Sequence, residues 1–147
     1  MRGPMNDDAS LIHESLEWAA GAVHDITPLV YERFFRAHPE ARELFGPDSG
    51  NLIKEVMLVE ILEWIGGLAE GRLDAHGALF WGVDHAAFEV TDAMVASMFA
   101  AITESVKSCA GGRWTAEMER AWQRQYDALT PWILDGLARG RRITGGR

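Results

Sequence analysis

The residue with the clearest chemical potential is His85, which lies near the end of an apolar helical run. It belongs to the stretch LFWGVDHAAFEV at positions 79–90, directly before a predicted break to a new helix. A neutral imidazole at such a place is either a structural core residue or a ligand to a metal through a ring nitrogen. A ligating imidazole normally donates its other ring N–H to a carbonyl or carboxylate, which orients the ring. The surrounding sequence must decide between the two roles.

The other four histidines fit structural roles better. His13 lies near the start of a predicted helix, His24 lies at a helix end where a cation is favoured, His38 precedes a proline, and His76 lies in a glycine-rich connection. The sequence has no Ser-His-Asp set, phosphate-binding glycine loop, GxGxxG motif or clustered Cys/His metal site. His85 is therefore the single strong candidate for chemistry.

Apolar residues recur at helical spacing along the whole chain, whereas strand signals are nearly absent. The spacing predicts a first helix that is capped by Asp8 or Ser10 and ends near Val23. A second helix is predicted from Thr27, as its cap, to Ala37.

The middle of the chain is predicted to hold a short helix and a long one. His38 ends the second helix, because a residue before proline is pushed out of the α region. The short helix covers residues 40–44 and ends at Phe45. The long helix covers about 51–68 and carries apolar residues on more than one face, so it should be buried on more than one side.

Three further helices are predicted in the second half. One ends at His85, and the next is capped by Thr91 and Asp92 and ends at Ala110. The last contains Pro131, which removes a backbone donor, so a kink or a stop is expected near Leu129. The class is therefore all-α, with about six to eight helices.

Composition and charge narrow the function classes. With 147 residues, 48% of them apolar, the chain is expected to form one domain, 1–147, with flexible tails at 1–8 and 139–147. Its single cysteine, Cys109, fits a reducing cytoplasm. The net charge of −8 argues against nucleic acid as a partner, and no apolar run is long enough for a membrane span or a signal peptide.

Four blocks carry a family resemblance: YERFFRAHPEARELF at 31–45, LVEILEWI at 58–65, HAAFEV at 85–90, and WTAE followed by AWQRQY within 114–126. In order and spacing, the chain resembles the bacterial single-domain globins that are related to the globin half of flavohaemoglobins. The resemblance covers most of the chain.

This resemblance implies a globin fold around haem b, with His85 as the proximal ligand to the iron. It implies that Phe45 packs on the porphyrin and that Tyr31 lies in the distal pocket. The Tyr31 hydroxyl would there bond either bound O₂ or a helix carbonyl. No CxxCH motif is present, so covalent haem attachment is excluded. The implied haem-binding residues are Tyr31, Phe45, Lys54, Met57, Leu58, Trp81, His85, Phe88, Val90 and Val95.

The chain departs from the family pattern at two proximal positions. Glu89 stands where the family usually has glycine, and Val95 stands where related flavohaemoglobins have a tyrosine thought to polarise the histidine. The second departure argues against peroxidase-like chemistry.

The distal helix allows two registers. Counting back from His85 without a gap places Ile53 and Met57 toward the iron, whereas the Leu-x-x-x-Leu-x-Trp match places Lys54 and Leu58 there. Both registers lack the common distal Gln or His. Met57 could ligate the iron or simply fill the core, and Lys54 could reach a haem propionate or extend into water.

The resemblance implies reversible binding of O₂, NO or CO. One alternative is NO dioxygenation, which would need a separate reductase because the sequence shows no flavin or NAD domain. Another is a haem-based redox or gas sensor. The chain is expected to be cytoplasmic, a monomer or homodimer, with neither nucleic acid nor membrane as partner.

Overall fold

The computed structural model describes residues 4–46 and 52–145, and within them the chain is all-α, with no strand. The all-α prediction is confirmed. The α-helices are α1 (Pro4–Ala22), α2 (Thr27–Ala37), α3 (Leu52–Ala69), α4 (Ala78–Ala86), α5 (Asp92–Ala110) and α6 (Ala116–Gly145). Short 3₁₀ helices cover Pro39–Phe45, Ala75–Gly77 and Gly111–Arg113. Within these residues, no helix combines the length and apolar character needed to cross a membrane.

The core forms where α1, α2, α5 and α6 meet. Trp122 of α6 is fully buried, and its indole N–H donates to Ser15 Oγ of α1 at 3.0 Å. Tyr126, one turn further along α6, shares a hydrogen bond of 2.7 Å with Thr103 of α5. Burial raises the pKa of the Tyr126 hydroxyl, because the phenolate would lose its hydration. Each buried polar group here thus has a partner on a neighbouring helix.

The start of the chain differs from the sequence prediction. α1 begins at Pro4, so Asp8 lies inside the helix and does not cap it. The Asp8 carboxylate is buried and accepts hydrogen bonds from Arg124 Nε at 2.9 Å and Gln125 Nε2 at 3.0 Å. This contact with α6 explains why residues 4–8 are ordered helix where a flexible tail was expected. Residues 1–3 lie outside the described part.

The start of α2 also differs in detail. Ile26, and not Thr27, occupies the cap position. The side chain of Asp25 provides the hydrogen-bond acceptor at the start of the helix. Its carboxylate accepts hydrogen bonds from the Thr27 backbone N–H at 2.9 Å and the Thr27 hydroxyl at 2.7 Å. These hydrogen bonds favour the ionised form and lower the pKa of Asp25.

The last helix is longer than predicted. α6 continues through Pro131 to Gly145, so the predicted stop near Leu129 is wrong. Burial of Leu129 and Ile133 on either side of the proline stabilises the helix enough to outweigh one missing backbone donor. Arg141, expected in a frayed tail, donates to the Val90 carbonyl at 3.0 Å. Residues 139–145 are thus helical, and 146–147 lie outside the described part.

α4 packs almost entirely on α6, and glycines allow the two helices to approach closely. A Cβ atom at Gly82 would overlap the carbonyl oxygen of Ile133, and one at Gly136 would overlap that of Leu79. The backbones are therefore in direct contact at this crossing. Since α4 carries His85, α6 fixes the position of that imidazole.

The turn after α4 contains a left-handed residue. Glu89 has φ +59°, and apart from glycines no other described residue has positive φ. Glycine adopts this conformation without steric strain, whereas a residue with a Cβ does not. Glycine is therefore the residue that this backbone favours at position 89.

We expect Glu89→Gly to raise the free energy of unfolding by about 0.5–1 kcal/mol. Relief of about 1–2 kcal/mol of left-handed strain is partly offset by the larger backbone entropy of glycine in the unfolded chain. Glu89→Ala is the control, because it removes the carboxylate but keeps the Cβ, and no gain is expected. Urea unfolding followed by circular dichroism measures both. An equal gain in the two variants would show that the carboxylate, and not the backbone, is responsible.

Candidate functional site

A mainly apolar cavity of about 250 Å³ lies between α3, α4 and α5. α3 packs on α1, α2 and α6, whereas α4 packs mainly on α6. α3 and α4 are therefore not main neighbours of each other, and the cavity separates them. Its outer residues, Leu44, Ile53 and Phe88, are exposed, and the cavity is therefore open to solvent on one side. Its inner end adjoins a smaller cavity of about 40 Å³ that shares Ile61 and Trp81.

His85 lies at mid-depth on the α4 wall and has one ring nitrogen held by the backbone. Its Nδ1 lies 2.8 Å from the carbonyl oxygen of Trp81, one helical turn earlier. Because a carbonyl only accepts, the proton must be on Nδ1. Nε2 of the neutral ring then carries a lone pair, and it has no hydrogen-bond partner among the described residues.

Aromatic rings further restrict His85. The Trp81 indole stacks on the imidazole with a centroid separation of 3.8 Å and an interplanar angle of 21°. The Phe88 ring lies near the imidazole in a tilted arrangement, with a centroid separation of 6.3 Å. The imidazole is thus oriented by one hydrogen bond and two rings, which suits a ligand whose direction matters.

The α3 wall shows which of the two predicted pairs of residues lines the cavity. Ile53, Met57 and Ile61 line the cavity at spacings of four residues, so they share one helix face. Leu58 points elsewhere and is buried in the core at 2% exposure. The register that faces the cavity is therefore Ile53 with Met57, and Lys54 and Leu58 do not line it.

Tyr31 lies behind Phe45, outside this cavity. The two rings meet edge to face at 5.3 Å, and Phe45 is the one that lines the cavity. The Tyr31 hydroxyl donates to the Lys54 backbone carbonyl at 3.2 Å. Tyr31 and Lys54 instead line a separate, more polar cleft with Asp25, among others. The sequence allowed the Tyr31 hydroxyl to bond either bound O₂ or a helix carbonyl, and in the structure it bonds a helix carbonyl.

The structure brings most of the predicted site residues together. The cavity is lined by Phe45, Met57, Trp81, His85, Phe88, Val90 and Val95, and not by Tyr31, Lys54 or Leu58. Met94 and Met98 of α5 also line it, although neither was predicted as a site residue. Met94 and Met98 lie one helical turn apart beside Val95, a predicted site residue, and this spacing could have identified them as site residues.

The other histidines lie outside the cavity. His38 contacts Ser97 Oγ at 2.8 Å and Glu40 at 3.2 Å, and His76 contacts Asp74 at 2.7 Å. Among the described residues, no group of three His, Cys, Asp or Glu side chains could hold a metal ion. His85 thus stands as a lone nitrogen donor in apolar surroundings. No known protein-family profile matches the chain.

Proposed function

We propose that this protein is a globin that holds haem b in the cavity between α3, α4 and α5, with His85 as the proximal iron ligand. When bound, the haem would supply an iron that binds O₂, NO or CO reversibly. The observation that carries the proposal is the geometry of His85: Nδ1 donates to the Trp81 carbonyl, and Nε2 is left with a lone pair on the cavity wall.

The donor set fits a metal that brings its own ligands. A bare transition-metal ion in a protein normally requires three or four side-chain ligands. A single imidazole can instead complete the coordination of an iron already held by a porphyrin. The hydrogen bond from Nδ1 fixes the orientation of the ring, as the hydrogen-bond partners of metal-bound histidines do.

The remaining walls suit a large, flat and mostly apolar group. Phe45 is 9% exposed and presents its ring to the cavity, while Ile61, Met98 and Val95 close the inner end. These apolar side chains offer water no hydrogen-bond partner at the place where a ligand to iron would bind. The exposed side, at Ile53, would allow a charged edge of the group to stay in water.

Location and partners follow from the proposal. Cys109 is unpaired, which agrees with a reducing cytoplasm. We therefore place the protein in the cytoplasm, with diatomic gases as its ligands and, for any redox cycle, a separate reductase as partner.

Titration of the purified protein with haemin tests this function. We expect an intense Soret band that saturates at one haem per chain, followed by a reversible spectral change when the reduced protein is exposed to CO and the CO is removed. Haemin in the same buffer without the protein gives the reference spectrum. If reconstitution yields no Soret band beyond that reference, the haem proposal is wrong.

A further inference from the structure

We propose that the thioether of Met57 is the second axial ligand of the iron, so that the ligand-free protein is six-coordinate. This inference rests on the haem proposal above and adds what occupies the face opposite His85. It also implies that an external gas must displace Met57 before it can bind.

Met57 and His85 both lie at intermediate depth in the cavity. Along α3, exposure decreases from Ile53 (50%) through half-buried Met57 to Ile61 (8%). On the other wall, the half-buried His85 likewise lies one turn outward from Trp81, which reaches the inner cavity. Met57 and His85 are therefore the middle residues of two walls that face each other across the cavity.

Met57 also has a side-chain atom that can ligate iron, the thioether sulfur. Ile53 and Ile61, the other α3 residues on this wall, have no donor atom, and Tyr31 and Lys54 lie in the separate cleft. The Met57 sulfur is thus the single donor atom that α3 contributes to the described cavity wall. A thioether is a soft, uncharged ligand on a flexible side chain, and it favours ferrous over ferric iron. Ligation by His and Met raises the reduction potential of a haem.

Two other methionines provide matched controls. Met94 and Met98 line the same cavity but come from α5, which begins directly after the turn that follows His85. Replacement of methionine by leucine nearly conserves volume, so each variant should fold. Only the Met57 change should alter the coordination of the iron.

The experiment compares wild type with Met57→Leu, Met94→Leu and Met98→Leu, each reconstituted with haem and checked for haem content and circular dichroism. We expect a low-spin, six-coordinate spectrum with the sulfur-to-iron charge-transfer band in the ferric wild type. That band should be lost in Met57→Leu alone, and its reduction potential should fall. CO association should become about tenfold faster or more if Met57 occupies the iron in at least about nine-tenths of molecules.

The outcomes separate this inference from the haem proposal. A normal haem content with a five-coordinate wild-type spectrum, or a six-coordinate spectrum unchanged in Met57→Leu, overturns the role of Met57 and leaves haem binding intact. Failure of every protein to bind haem overturns both. Loss of the band in Met94→Leu or Met98→Leu, but not in Met57→Leu, assigns the ligand to α5 and also overturns the inference.

Discussion

Replacement of His85 by glycine is expected to abolish stable haem binding, and added imidazole is expected to restore it. The substitution removes the nitrogen that we propose as the proximal ligand and leaves a space beside Trp81 and Phe88, the two rings that contact the imidazole. Changes to the groups that hydrogen-bond a metal ligand reduce metal affinity by about 10- to 100-fold, so loss of the ligand itself should reduce haem affinity by about 100-fold or more. Haem dissociation, measured by transfer to an apoprotein acceptor, reports the change.

His76→Gly is the matched control for that experiment. His76 lies in the 3₁₀ helix directly before α4, contacts Asp74 and Trp132, and does not line the cavity. This variant should retain haem as the wild type does, and circular dichroism should show that both variants keep their helices. Unchanged haem retention in folded His85→Gly, or no response to imidazole, would contradict the assignment of His85.

Local signals in the sequence were enough to locate most helices. Thr91 was predicted as a helix cap, and its hydroxyl does accept the Met94 backbone N–H at 3.1 Å. The His38-Pro39 stop was predicted equally well, because both signals act within a few residues of chain. The local pattern left His85 as either a core residue or a metal ligand, and only the family resemblance implied that it lines a pocket.

Features that depend on distant residues could not be predicted in the same way. Asp8 resembles a helix cap locally, but in the fold its carboxylate pairs with Arg124, far along the chain. Likewise, Tyr31 and Lys54 belong to helices whose positions were predicted correctly, yet the rotation of those helices directs both away from the cavity. Helix rotation is set by packing across the whole core, which periodicity alone does not specify.

The close crossing of α4 and α6 predicts the largest effect on stability. Gly136→Ala should lower the free energy of unfolding by about 3 kcal/mol or more, because overpacking a core typically costs about 1–3 kcal/mol and here the added methyl meets rigid backbone. The overlap involves the carbonyl of Leu79 and the Cα of Gly82, and neither can rotate away as a side chain could. Urea unfolding followed by circular dichroism measures the loss.

Gly21→Ala supplies the control, because Gly21 lies in α1 with nothing near the position of an added Cβ. There the better helix propensity of alanine should leave stability unchanged or raise it by up to about 1 kcal/mol. Equal stability of Gly136→Ala and wild type would mean that the helices do not approach this closely in solution. Because α6 is the main neighbour of α4, separating the two helices must also displace His85. Under mildly destabilising conditions, Gly136→Ala should therefore lose haem before it loses helix content, whereas Gly21→Ala should lose both together.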